Sequence, residues 1–231
     1  MKTYDREKSA AIEAVIAAMR LSERVRQDIP AAMVKSDNSP VTVADFGAQA
    51  LVCRALRESF PHDPVVGEED ASDLENPGMT EKLAKVTAYV GEQVPGATPD
   101  RVCSWINRGN GSVDSRFWTL DPIDGTKGFL RNDQYAVALA LIEEGEVKVG
   151  VLGCPRMPAE NEVAGALFVA VRGEGAFSIP ITGGNAKRLR VADGSADPHS
   201  HRFVESVESS HSNQQAHRRI AQAVGITEPP V

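Results

Sequence analysis

An α+β fold is predicted, with helices first and a strand-rich middle after them. Three observations predict it. The N-terminal part of the chain carries apolar residues at helical spacing. Residues 135–154 carry two apolar, partly alternating runs on either side of a tight turn. Helix and strand patterns are segregated along the chain, where a regular βαβ array would alternate them.

The first helix covers residues 7–29, because Ile12, Val15, Ile16 and Met19 recur at i, i+3, i+4 and i+7. Pro30 ends or kinks it. Ser36-Asp37-Asn38-Ser39-Pro40 is a turn cluster. A second helix starts near Thr42 and runs to about Ser59, ending before Pro61. Pro64-Val65-Val66 is a short strand, and Gly67-Glu68-Glu69-Asp70 is its acidic exit. Residues 71–79 are loop, and helical pattern returns over 80–94 and 99–107. Arg108 to Ser112 is a loop, followed by a strand over 117–121 in which Phe117-Trp118-Thr119-Leu120 is the apolar run.

Tyr135–Glu143 and Glu146–Cys154 read as paired strands, with Glu144-Gly145 as the hairpin turn between them. Pro155 to Glu162 is loop. Shorter strands follow at 165–171, 175–179, 187–191 and 202–206, and a helix over 213–224 closes the chain. Cys154-Pro155-Arg156-Met157-Pro158 interrupts the strand pattern. That break divides the chain into an N-terminal α+β domain, residues 1–154, and a partial C-terminal α/β domain, residues 155–231. No internal repeat or low-complexity tract occurs.

Composition narrows the function. The chain has 231 residues, 42% hydrophobic and 25% charged, which is ordinary for a globular protein. A net charge of −7 argues against binding to a nucleic-acid polymer, which calls for a basic surface. A small phosphorylated substrate remains compatible, because bound cations reverse a local field. The three cysteines, Cys53, Cys103 and Cys154, form no CxxC pair, so neither a zinc site nor a disulfide framework is indicated. The charged N-terminus lacks a signal peptide's apolar segment, and the apolar run Tyr135 to Ile142 is too short to span a bilayer. A cytoplasmic protein with no membrane partner, acting as a monomer, is the expectation.

The chemistry concentrates in Asp121-Pro122-Ile123-Asp124-Gly125-Thr126. Asp-Pro and Asp-Gly alone are turn dipeptides. Here two carboxylates flank a rigid Pro-Ile step at the exit of a buried strand, where uncompensated acids are costly. A hard, oxygen-seeking cation such as Mg²⁺ suits that arrangement. Glu68 and Glu69 read alone as a solvated acidic loop, but they also leave a strand end, and neighbouring strands that release acids at one end can share a site. Asp45 fits a capping box with Thr42, in which it only satisfies backbone donors. A helix start also welcomes phosphate, and an acid there could orient an attacking water. Thr126 is either a turn residue or a donor to phosphate and water. Lys35, Lys127 and His211 are by default solvated. No nucleophile elbow, Walker A loop or GxGxxG motif is present.

Together these segments resemble the lithium-sensitive, Mg²⁺-dependent phosphatase superfamily of inositol monophosphatase and fructose-1,6-bisphosphatase, whose metal signature is a GEE stretch followed by DPIDGT. The narrower resemblance is to the 3′(2′),5′-bisphosphate nucleotidases. It rests on the segment Lys35 to Asp45, the long interval from Glu68 to Asp121, the run Phe117 to Leu130, and Val204-Glu205-Ser206-Val207-Glu208-Ser209-Ser210-His211-Ser212. The resemblance spans residues 5–228 and implies a layered α-β-α-β-α fold. It implies two or more Mg²⁺ held by Glu68, Asp121, Asp124 and the backbone carbonyl of Ile123. It also implies Asp45 and Thr126 as the catalytic pair, and substrate contacts from Gly125, Thr126 and His211.

The implied reaction removes the 3′-phosphate of adenosine 3′,5′-bisphosphate, and of 3′-phosphoadenylyl sulfate, within sulfur metabolism. An inositol-phosphate or sugar-phosphate phosphatase on the same fold is the enzyme alternative. The family continues into a Trp-Asp-His-Ala-type motif whose Asp is a further ligand, whereas this chain stops at Pro229-Pro230-Val231. A C-terminally truncated, poorly active chain with an incomplete last layer is therefore the expectation. A non-catalytic phosphonucleotide-binding or interaction protein is the alternative from another class. Asn132 stands where many relatives have Gly.

Overall fold

In a computed structural model, residues 3–28, 39–157, 165–191, 204 and 214–226 are described. Two compact units divide at Leu189/Arg190. The first holds a seven-stranded sheet whose spatial order follows chain order. Its strands are β1 (Val65–Val66), β2 (Arg116–Asp124), β3 (Ala136–Glu143), β4 (Glu146–Cys154), β5 (Ala166–Val171), β6 (Gly175–Pro180) and β7 (Lys187–Leu189). Every neighbouring pair is antiparallel except β1 and β2, which run parallel. The second unit contains the helix Gln214–Ala223 among its described residues. The strand predicted over 202–206 lies outside the described residues save Val204, which is not in a strand.

Period-two alternation builds one apolar face of the sheet. Trp118 and Leu120 of β2, Val137, Leu139 and Leu141 of β3, Val149 and Val151 of β4, and Leu167, Val169 and Val171 of β5 are all buried. The register aligns them across strands, with Trp118 opposite Leu141, Leu139 opposite Val151, and Val151 opposite Val169. Helix α1 (Asp5–Gln27) covers that face with Ala11, Ala14, Val15, Ala18 and Met19. Between β3 and β4, Glu144 and Gly145 take φ of 53° and 72°, the left-handed angles a two-residue hairpin turn needs. β5 pairs with β4 across residue 154, so the sheet continues past the interruption at Pro155.

Helix α2 (Ser39–Ser59) lies between two cores. Ala48, Val52, Cys53 and Leu56 face the sheet and α1, while Val43, Phe46, Ala50 and Leu51 join a helical core. That second core is completed by α4 (Thr80–Gln93) and α5 (Pro99–Ile106), through Val86, Val90, Val102 and Trp105. A helix buried on all sides is apolar on all sides. The buried side chains described in α2 keep to that rule with two polar exceptions, Asp45 and Gln49, while Arg57 and Glu58 in its last turn are exposed.

Three boundaries differ from expectation. α2 begins at Ser39, before Thr42, so Asp45 sits in the second turn and not at the third position of a capping box. β2 runs through Asp124, so both acids of the motif belong to the strand. Residues 71–79, read as loop, contain the short helix α3 (Ser72–Glu75) and a 3₁₀ turn at Pro77–Met79, and a further short helix, α6 (Thr126–Leu130), follows the motif. Such single turns are too brief for a 3.6-residue apolar period to show.

Trp118 anchors the sheet beside the acidic motif. It is fully buried, its ring centroid lies 5.5 Å from that of Phe60, and its indole N–H donates to Asp63 Oδ2 at 3.1 Å. Replacing it with alanine leaves a cavity and removes one of the two donors to Asp63 Oδ2, the other being Arg116 Nε at 2.9 Å. Trp118→Ala is expected to cost about 3–5 kcal/mol of stability, read from urea unfolding. A loss below about 1 kcal/mol contradicts the packing described here.

Candidate active site

The acids converge because β1 and β2 are parallel. Val66 is level with Thr119. Two residues further on, Glu68 stands just past the end of β1 beside Asp121 of β2, close enough that its negative charge acts on the Asp121 carboxyl. Asp124 is brought to the same face by a β-bulge. Asp121 pairs with Ala138 and Asp124 with Ala136, so three steps on β2 match two on β3. In a regular strand, residues three apart point to opposite faces, and the extra residue in the bulge restores a common face. Ile123 N–H donates to Asp121 Oδ1 at 3.2 Å and braces the first carboxylate. Gly125 ends the strand with φ of 93°, which a side chain would strain, and Thr126 opens α6.

Asp45 reaches the same corner from α2. Its carboxyl is pushed up from an ordinary 3.8 to about 8, first by burial and then by the negative charges of Glu69, Glu68 and Asp121. Glu69 is pushed up from 4.5 to about 7 by burial, then by Glu68, Asp73 and Asp121. Asp121 is pushed up from 3.8 to about 6 by burial, then by Glu68 and Asp124. The carboxylates of Asp45, Glu68, Glu69 and Asp121 thus share one electrostatic neighbourhood, and Asp124 joins it through Asp121. Among the described residues none of them forms an ion pair.

That donor set fits a hard divalent cation. Its atoms are oxygens, it carries surplus negative charge, and part of it is buried. Among the described residues no three His, Cys, Asp or Glu side chains close around a single point. Mg²⁺ does not require such a cage, since it binds through one or two carboxylates and completes its shell with water and substrate phosphate. The Ile123 side chain is buried in the helical core, so only its backbone carbonyl is available as a ligand. Asp124, Gly125 and Thr126 are exposed. His211 and Lys35 lie outside the described residues.

One contributor escaped the sequence reading. The Gln49 amide hydrogen-bonds the backbone at both Glu68 and Glu69. Its only signal was an amide one turn after Asp45, inside the otherwise apolar stretch Phe46 to Cys53.

A mixed sheet covered by helices, with an acidic corner where its parallel pair ends, defines an α+β protein with a carboxylate cluster at one end of its sheet. The chain belongs to the inositol monophosphatase family, whose model matches residues 4–227. It is 38% identical over 252 residues to the 3′(2′),5′-bisphosphate nucleotidase of Schizosaccharomyces pombe, covering 99% of this chain and 71% of that protein. It is also 38% identical over 254 residues to 3′(2′),5′-bisphosphate nucleotidase 1 of Arabidopsis thaliana, covering 99% and 72%. Among solved structures, SuhB of Mycobacterium tuberculosis superposes with a TM-score of 0.58 at 20% identity over 99% of this chain and 69% of that one. CysQ of Bacteroides thetaiotaomicron, a bacterial member of the inositol monophosphatase family, gives 0.54 at 19% identity over 97% and 71%. These structures share the fold.

The clustered acids make stability depend on pH and cation together. Folding raises the pKa of Asp121, Glu69 and Asp45 to about 6, 7 and 8. The folded state therefore holds protons that the unfolded state has lost, and stability falls as pH rises through that range. In chelator, the melting temperature is expected to fall from pH 5 to pH 8 relative to the same protein in Mg²⁺. Stabilisation by Mg²⁺ grows over the same interval. A Mg²⁺ effect that is constant or larger at pH 5, measured by thermal melting, contradicts the mutual destabilisation of these acids.

Proposed function

We propose that the chain is a Mg²⁺-dependent phosphomonoesterase acting on the 3′-phosphate of adenosine 3′,5′-bisphosphate, giving AMP and inorganic phosphate, with 3′-phosphoadenylyl sulfate as a further substrate. The observation that carries the proposal is the convergence of carboxylates from α2, the end of β1 and the bulged end of β2. The choice of a nucleotide substrate is supported by 38% identity along 99% of the chain to proteins named 3′(2′),5′-bisphosphate nucleotidase. Two or more Mg²⁺, inhibition by lithium, a role in sulfur metabolism, a cytoplasmic setting and a monomeric state accompany the proposal. Among the described residues no helix is long and apolar enough to cross a membrane.

Glu68, Asp121, Asp124 and the Ile123 carbonyl would hold the cations. When bound, Mg²⁺ supplies neutralisation of phosphate charge and a lowered pKa for water. The Asp45 carboxylate accepts the proton of the attacking water. Its burial beside other acids makes it a stronger base than a solvated aspartate. The Thr126 hydroxyl orients that water, and the Gly125 and Thr126 N–H groups donate to phosphate oxygens. The work of these residues is positioning and electrostatic stabilisation, which dominate phosphoryl transfer.

An inositol- or sugar-phosphate substrate is the second reading, favoured by the family's own description. Phosphate release from adenosine 3′,5′-bisphosphate and from inositol 1-phosphate, each with and without Mg²⁺, separates the two. No Mg²⁺-dependent release from either leaves the non-catalytic binding protein.

Asp124→Ala removes an exposed carboxylate, so its melting temperature stays close to that of the parent. Its Mg²⁺-dependent turnover is expected to fall on the order of 10²-fold or more, the scale of losing one preorganised electrostatic group. Unchanged turnover in that variant removes Asp124 from the site.

A further inference from the structure

Gln49 is fully buried on the central helix, and its side-chain amide is saturated by backbone. Nε2 donates to the carbonyl oxygens of Glu69 at 2.5 Å and Ile106 at 3.0 Å. Oε1 accepts from the N–H groups of Glu68 at 3.1 Å and Glu69 at 2.9 Å. Two donors and two acceptors are the full capacity of an amide. Three of the four bonds fall on two consecutive acidic residues, and the fourth ties them to the end of α5.

The surroundings are shaped for this contact. A Cβ added at Gly67 would stand 2.5 Å from Gln49 Oε1, and one at Gly109 would stand 2.5 Å from Nε2, so both backbones can approach the amide only as glycine. Gly67 N–H donates to the Gly109 carbonyl at 2.7 Å, and Asn107 Oδ1 accepts from Ala71 N–H at 3.0 Å. The acidic exit of β1 is thus held from both sides. Gln49 also lies one helical turn after Asp45, at i+4, so both side chains leave the same side of α2.

We propose that Gln49 is a positioning residue for the acidic cluster. Its amide fixes the backbone from which the Glu68 and Glu69 carboxylates project, and locks that backbone to the helix that carries Asp45. No catalytic contact is assigned to it. The proposal rests on the cation-binding reading above only for its functional consequence, because the clamp itself is a statement about backbone.

The test uses Mn²⁺ as a spin probe together with amide hydrogen exchange, on the chain as it stands. In the parent protein the Glu68 and Glu69 amides are expected to be protected, because the acceptor each one has is Gln49 Oε1. Gln49→Met keeps the length and removes all four bonds. It is expected to speed exchange at those two amides and to raise the Mn²⁺ dissociation constant about tenfold, the scale of losing an outer-shell partner. Leu56→Ala, a core truncation on the same helix, is the control for general destabilisation. It should leave both readouts near those of the parent.

Unchanged affinity and exchange in Gln49→Met overturn the proposal, as do equal losses in Leu56→Ala. Rapid exchange of both amides in the parent overturns it without any variant. A parent that binds no Mn²⁺ overturns the cation reading instead, and the amide exchange then decides the clamp alone.

Discussion

Repulsion among carboxylates is the constraint around which this molecule is organised. Two unit charges about 4 Å apart in a medium of effective dielectric ~20 interact by about 4 kcal/mol. Five acids gathered at one corner would spread apart if the chain allowed it. Burial and mutual repulsion raise the pKa of Asp45, Glu69 and Asp121, and these shifts record the cost. A protein keeps such an arrangement only if a rigid frame opposes the spreading and a cation offsets the charge.

The frame has three parts, and each is secured away from the acids. β1 and β2 lie parallel, and Trp118 packs into the sheet core directly behind them. The bulge between Asp121 and Asp124 puts two acids three residues apart on one face. α2 is wedged between two apolar cores, so its position is set by packing on both sides, and the buried polar groups it presents among the described residues are Asp45 and Gln49. Stability and function therefore occupy different residues of the same elements. The apolar positions of α2 and β2 fix where the polar ones stand.

Much of this was legible beforehand. Helices α1 and α2, the β3–β4 hairpin and the acidic exits of β1 and β2 announce themselves through period, turn chemistry and charge. The start of α2 was misplaced because Thr42-Val43-Ala44-Asp45 imitates a cap, while the helix had already begun at Ser39. β2 was cut short at Asp121 because Pro122 and two aspartates look like a turn; the bulge lets them remain in the strand. Gln49 was invisible for a different reason. Its partners are backbone atoms of residues 68, 69 and 106, and backbone hydrogen bonds over such separations leave no trace in residue type. The glycines that accommodate it, Gly67 and Gly109, read in sequence only as part of a strand exit and of a loop.

Anomalous diffraction from crystals soaked in Mn²⁺ tests the central claim most directly. Density is expected among the carboxylate oxygens of Glu68, Asp121 and Asp124, with Asp45 facing it across the site. Well-ordered crystals that take up Mn²⁺ elsewhere, with these oxygens turned away from one another and no peak between them, would contradict the account.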